Sequence, residues 1–219
     1  MTKLGKRLKT IADFVDNEAI VADVGADHGK LLLYLTEQGK ISLGYGIENK
    51  SGPYQILNSN LGECPSARLV PLFQDGISVL SDDVDTLVLA GLGGETIVSI
   101  LRKGIDNLTY IKTIITDSHT SIGEVRRYLT QIGYAIGDEK LVSDRNKFYE
   151  IIKFVKTEEK LSYSDFEYRH GPIIIKSPEF KNHAKRLIHK INILLKKDLP
   201  DNIKAKMIEG KEVLKRYEN

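Results

Sequence analysis

A chain of 219 residues has room for one good-sized domain and a small appendage. Hydrophobic residues at 41% and charged residues at 28% give a globular balance that argues against wholesale disorder, and the single Cys64 excludes a disulfide framework or a Cys-rich zinc module. The net charge of +2 conceals an asymmetry: residues 1–159 hold 18 basic and 22 acidic side chains, residues 160–219 hold 14 and 8, and the first ten add Lys3, Lys6, Arg7 and Lys9 without an acid, a distribution that suits a polyanionic partner or an evenly solvated helix surface.

In chain order, Lys6 to Phe14 has helical spacing, with Leu8, Ile11 and Ala12 on one side. Ala19 to Val24 is a short apolar run ending at a glycine and reads as a buried strand. A helix follows from Lys30 to Gln38, then a strand at Leu43–Ile47, a helix at Pro53–Leu61 and a strand at Ala67–Phe73. Thr86 to Ala90 is the clearest strand, succeeded by a helix at Glu95–Leu101, a strand at Lys112–Thr116 and a helix at Ile122–Ile132 that Gly133 ends. Strand–helix alternation of this length predicts an α/β fold with a mostly parallel sheet covered on both faces. The rhythm breaks after Gly133, where Tyr134–Val142 and Phe148–Val155 read as two strands joined by the turn 143–147. An antiparallel hairpin closing a parallel sheet points to the seven-stranded methyltransferase version of the Rossmann-like fold, and away from a dehydrogenase.

From Glu179 to Lys197 the apolar residues Phe180, Ala184, Leu187, Ile188 and Ile191 mark an amphipathic helix. Pro200 breaks it, and Asp201 is placed to cap a second helix through Met207 and Leu214, giving a helical hairpin with a coiled-coil-like pattern. The expected domains are therefore 1–158 for the sheet and 159–219 for the helical tail. No run reaches the roughly 18 apolar residues of a membrane span, and the N-terminus lacks a signal peptide's apolar core, so a cytoplasmic protein without membrane contact is expected.

Four loops carry chemistry. Asp23-Val24-Gly25-Ala26-Asp27-His28-Gly29 joins the first strand to a helix; its small residues admit a ligand to the backbone, beside the free N–H groups of a helix start. A nicotinamide fingerprint would want glycine where Asp27 and Lys30 stand, and a pyrophosphate would meet the carboxylates of Asp23 and Asp27. A cofactor with a cationic end, such as S-adenosylmethionine with its ammonium and sulfonium, is the better match. Glu48, beside Asn49 at the end of the second strand and about 20 residues past the first loop, can accept two ribose hydroxyls. Asp75-Gly76 after the third strand can take an exocyclic amine of adenine, or be a plain turn. Ala90-Gly91-Leu92-Gly93-Gly94 follows the fourth strand on the same sheet edge, where its glycines clear room for a flat base or serve tight helix–sheet packing. His28 and His119 lie near strand ends. No H-E-x-x-H or Cys/His ligand set appears, so no metal is expected.

With these motifs in order the chain resembles the bacterial tRNA adenine-22 N1-methyltransferases, nearly end to end. The resemblance is carried by Arg7-Leu8, Ala22 to His28, Gly52-Pro53-Tyr54-Gln55, Asp75-Gly76, Ala90 to Gly94, Gly133-Tyr134, Asp138-Glu139, Lys147 to Ile151 and Gly171-Pro172. It implies that Gly25, Asp27, His28, Glu48, Asp75, Gly76, Ala90 and Gly91 line a pocket that holds S-adenosylmethionine, to which the neighbouring Asp23, Asn49 and Leu92 are added as candidates, and that a helical tail helps to hold tRNA. The Ala90–Gly94 turn is expected to clamp the target base, with backbone groups or the candidate catalytic pair Asp27 and His28 positioning its edge. Gly93, Gly94, Asp117 and His119 are expected at the substrate base, and Lys3, Lys6, Arg7, Lys185 and Arg186 at RNA phosphates, in a protein acting as a monomer. Where the family has Gln-Pro-Asn after the fifth strand, this chain reads Asp117-Ser118-His119, and Gly46-Ile47-Glu48-Asn49 departs from a usual Gly-Glu-Val. A methyltransferase of another substrate, and a protein that binds cofactor or RNA without reacting, remain the alternatives; the tail could equally be a dimerisation arm.

Overall fold

The computed structural model describes residues 2–62, 68–144 and 147–217. Seven strands form one sheet: β1 (Val21–Val24), β2 (Leu43–Glu48), β3 (Arg68–Phe73), β4 (Thr86–Leu92), β5 (Thr113–Ser118), β6 (Tyr134–Asp144) and β7 (Lys147–Lys156). Their order is β3-β2-β1-β4-β5-β7-β6, with β1 to β5 parallel and β7 antiparallel to both β5 and β6. The central strands are continuous Val, Ile and Leu runs because both faces are covered; Val21, Leu87, Val88, Leu89, Ile114 and Ile115 are all buried. Pro71 is tolerated in β3 because that strand lies at the sheet edge, where a missing N–H breaks no ladder.

The helices α1 (Lys6–Phe14), α2 (Lys30–Glu37), α3 (Ser51–Gly62), α4 (Gly94–Lys103) and α5 (Ile122–Gln131) accompany the sheet. Each connects or precedes strands much as the apolar periodicity predicts. Pro53 falls in the first turn of α3, where its missing N–H has no intrahelical partner to lose. One core cluster joins Ile11, Phe14 and Val15 to Leu31, Leu32 and Leu35 of α2 and to Val88 and Ile115 of the sheet, which fixes α1 over that face.

Two places depart from the predicted elements. β4 runs on to Leu92, so the start of the glycine-rich segment is strand: Gly91, at φ +78, forms an irregularity between the Ala90–Asp117 and Leu92–Ser118 pairs. The predicted hairpin turn is also tighter, since Ser143, Asp144 and Lys147 pair within the ladder; Arg145 and Asn146 lie outside the described residues, as does Ala67 before β3.

Contacts divide the chain after Arg169, beyond the expected boundary at 158. The short helix α6 (Asp165–His170) goes with the sheet through polar bonds that periodicity does not reveal. Arg126 of α5 is fully buried, pairs with Glu139 at 2.7 Å and Glu150 at 2.6 Å, and donates to the Tyr168 carbonyl at 3.1 Å; Arg127 pairs with Asp165 at 2.7 Å. The second unit, from His170 onward, contains α7 (Pro178–Leu194) packed with α8 (Asp201–Lys215). Phe180 is buried there, with Tyr217 edge-on at 5.2 Å. Pro200 is the residue before α8, and Asp201 is its first residue and not its cap.

Candidate active site

Strand order reverses between β1 and β4, so their connections leave in opposite directions and open a crevice at the carboxyl ends, where ligands of such sheets bind. The loop after β1 is drawn over β2: Gly25 and Ala26 donate their N–H groups to the Ile47 carbonyl at 2.9 and 3.2 Å. Asp27 follows at φ +51, and its N–H reaches the Glu48 carboxylate at 2.9 Å. Glu48 is thus fixed at the end of β2, close to the first loop. Asn49 donates to Asp75 at 3.0 Å and ties the second loop to the third.

Two cavities hold the expected cofactor residues, and a third, of about 590 Å³, is lined by His119, Thr120, Glu124 and Arg127. Of the two, the larger, about 520 Å³, is lined by Gly25, Glu48, Asn49, Asp75, Gly76 and Leu92 of the predicted set, together with Gln74, Ile77, Thr96, Ser99 and Ile100. The smaller, about 190 Å³, is lined by Asp23, Gly25, Asp27, His28, Ala90 and Arg7. Gly25 belongs to both walls. The eleven expected cofactor residues therefore do not share one pocket; they divide between the larger chamber and a small annex, and Gly91 lines neither.

The annex has strong electrostatics. Asp23 is only 5% exposed; burial first, then the negative charge of Glu48, push its carboxyl up to about 7, while the Arg7 guanidinium acts the other way. Asp27 is exposed, and its carboxylate stands 3.6 Å from the His28 imidazole. This donor set suits an S-adenosyl group. The annex offers the carboxylates of Asp23 and Asp27 to a cationic end, with Arg7 and Lys30 also in its lining; Glu48 stands where ribose hydroxyls would need an acceptor, and Asp75 shares its cavity with the apolar flanks Ile77 and Ile100, suited to a flat ring.

The expected substrate residues separate in character. Gly94 is held by packing: a Cβ there would lie 2.4 Å from the Thr120 carbonyl oxygen, so this glycine lets α4 meet the start of α5, as the packing alternative has it. Gly93 precedes α4. Arg7 is turned inward, pairing with fully buried Asp117 at 2.5 Å, and is not an outward cation like Lys3 and Lys6, which are exposed. Burial pushes the Asp117 carboxyl upward, opposed chiefly by Arg7. His119 is exposed beyond the end of β5, while Lys185 and Arg186 are exposed on α7 of the second unit. Ile77, Thr96, Ser99 and Ile100 line the larger cavity without having been expected from the sequence. Thr96 and Ile100 are four apart on α4, a spacing that puts them on one face, but Ile100 reads as ordinary core.

This fold and crevice define a methyltransferase domain, and residues 4–152 match the family model of that description. Over 178 residues the chain is 30% identical to the tRNA (adenine(22)-N(1))-methyltransferase of Bacillus subtilis, covering 78% of this chain and 73% of the relative. The structure of Sp1610 of Streptococcus pneumoniae, a candidate tRNA (m1A22) methyltransferase, superposes with a TM-score of 0.92 at 26% identity over 99% of this chain and 100% of that one. The same protein in complex with S-adenosyl-L-methionine gives 0.90, again at 26% identity and the same coverage. The chain belongs to the tRNA (adenine-22-N1)-methyltransferase family.

Proposed function

We propose that this protein transfers a methyl group from S-adenosylmethionine to N1 of an adenine in tRNA, at position 22 as in the Bacillus relative. The observation that carries the reading is the crevice at the strand-order reversal, with Asp23, Asp27 and Glu48 at its edge, in a chain that aligns from end to end with a candidate methyltransferase of that specificity.

When bound, S-adenosylmethionine supplies a sulfonium-activated methyl group. Glu48 would take its ribose hydroxyls and Asp75 would accept from the exocyclic amine of its adenine, with Ile77 and Ile100 on the walls of the same cavity. Asp23 and Asp27 would hold the ammonium. Transfer to N1 of the target adenine would form the N–C bond as the sulfonium S–C bond breaks, with S-adenosylhomocysteine leaving and the positive charge passing to the base, so no strong base is required; orientation and exclusion of water by the Ala90–Gly91 edge would lower the barrier, with Asp27 and His28 positioning the base edge. N1 is engaged in Watson–Crick pairing, so the target must be unpaired or flipped out. Lys3, Lys6, Lys185 and Arg186 contact phosphates, and the protein acts as a soluble cytoplasmic monomer.

The test is incubation with radiolabelled S-adenosylmethionine and unmodified total tRNA, followed by nucleoside analysis. Label in 1-methyladenosine supports the reading. Intact cofactor binding with no label in RNA refutes it.

A further inference from the structure

Four side chains at the carboxyl edge of β5 form a continuous series of contacts. Asp117 is wholly buried; one carboxylate oxygen takes the Arg7 guanidinium at 2.5 Å, and the other has no hydrogen-bond partner. The Arg7 guanidinium lies 5.4 Å from the centroid of the Tyr149 ring. Tyr149 meets the His119 imidazole edge-on, with centroids 6.1 Å apart and planes at 63°. The ladder explains the meeting: Asp117 pairs with Ile151 in antiparallel register, so Tyr149 falls level with His119 just past the strand end. His119 stands over Gly91, where a Cβ would lie 3.9 Å from its Nε2 and 3.5 Å from Nη1 of Arg7.

The series runs from the buried to the exposed. Withdrawing Arg7 would leave the Asp117 carboxylate buried without a counter-ion, a costly state, so the guanidinium is pinned and cannot follow an RNA phosphate. A pinned guanidinium restricts Tyr149, to which it is attracted across the ring. Tyr149 in turn supports His119, the member of the series that is exposed to an incoming base.

We infer that His119 is the stacking platform for the flipped target adenine, that Asp117, Arg7 and Tyr149 are positioning residues for it, and that Arg7 makes no phosphate contact. This rests on the proposed reaction at an RNA base. It assigns a stacking role within the segment where the chain departs from its family's usual residues.

The test uses the full chain, tRNA for methyl transfer, and the same tRNA with 2-aminopurine at the target position, whose fluorescence drops on stacking. Wild type quenches the probe. His119→Ala leaves it brighter and lowers kcat/KM about 5- to 150-fold, the range for loss of one base–aromatic stack, and His119→Phe recovers most of that loss. Arg7→Ala brightens the probe and lowers kcat, while the slope of log affinity against log salt stays that of wild type. Asp117→Asn, which keeps the side-chain volume, shifts probe and kcat in the same direction and serves where Arg7→Ala fails to fold. The inference is overturned if His119→Ala quenches and turns over as wild type does, if His119→Phe is as impaired as the alanine variant, or if Arg7→Ala flattens the salt slope by about 0.7 to 0.9 without touching the probe. A wild-type protein that binds cofactor but methylates no RNA overturns the proposed reaction as well, so the wild-type control separates the two failures.

Discussion

Asp23 makes cofactor affinity depend on pH. Its carboxyl is pushed up to about 7, by burial first and by Glu48 second, so ligand-free protein at neutral pH is a mixture of charged and neutral forms. A cationic ligand end selects the charged form, and apparent affinity scales with that fraction. With half of the molecules ionised at pH 7 and about one-tenth at pH 6, affinity falls about fivefold over that interval and about tenfold over the next unit down. Binding should also release about half a proton at pH 7 and about 0.9 at pH 6. Calorimetry in two buffers of different ionisation enthalpy reads both quantities. Asp23→Asn binds more weakly at pH 7 and loses the pH dependence. The same shift acts on stability. Because the folded value lies above the ordinary 3.8, stability from this group is fully present below about pH 4 and is lost as pH rises through 7. The ionised group then costs the ligand-free fold on the order of 4 kcal/mol, which Asp23→Asn relieves at pH 8 and not at pH 4. Affinity that is flat from pH 5 to 7 in wild type, or equally pH-dependent in Asp23→Asn, would refute the reasoning.

Glu48→Ala removes a carboxylate that holds the Asp27 amide and is assigned the ribose; cofactor affinity should drop about 10- to 150-fold by calorimetry, as expected for one hydrogen bond to a charged group worth about 1.5–3 kcal/mol. Unchanged affinity would move the ribose elsewhere. Gly94→Ala places a methyl 2.4 Å from the Thr120 carbonyl oxygen and should destabilise the protein by about 1–3 kcal/mol in thermal or urea unfolding. A neutral substitution there would mean that α4 and α5 can separate without cost. Lys3→Ala with Lys6→Ala removes two exposed cations and should lower the salt slope of tRNA affinity by about 0.7 to 0.9 for each phosphate no longer neutralised, with cofactor affinity unaltered. An unchanged slope would take the N-terminal edge off the RNA path.

The sheet was legible because its central strands, such as Thr86 to Ala90, are buried on both faces and so consist of uninterrupted apolar residues, while the change of rhythm after Gly133 announced the hairpin. The acidic loops were legible because carboxylates at strand ends stand out against glycine. What periodicity does not encode is partnership across long separations. Arg7 reads as one more cation in a basic stretch, and only the closeness of α1 to β5 turns it toward Asp117, 110 residues away. Arg126 likewise reads as a surface residue of α5, yet two acids from β6 and β7 bury it. Ile77 and Ile100 are chamber walls that look like core, since an apolar side chain facing a ligand and one facing another helix have the same chemistry. Tyr149 was visible as part of a family motif but carried no role until the antiparallel register set it beside His119.

The most direct test of the account is methyl transfer to two transcripts of one tRNA, identical except that adenine 22 is replaced by guanine in the second. The account predicts 1-methyladenosine in the first, at position 22, and none in the second. Equal label in both transcripts, or label in a nucleoside other than 1-methyladenosine, would contradict it.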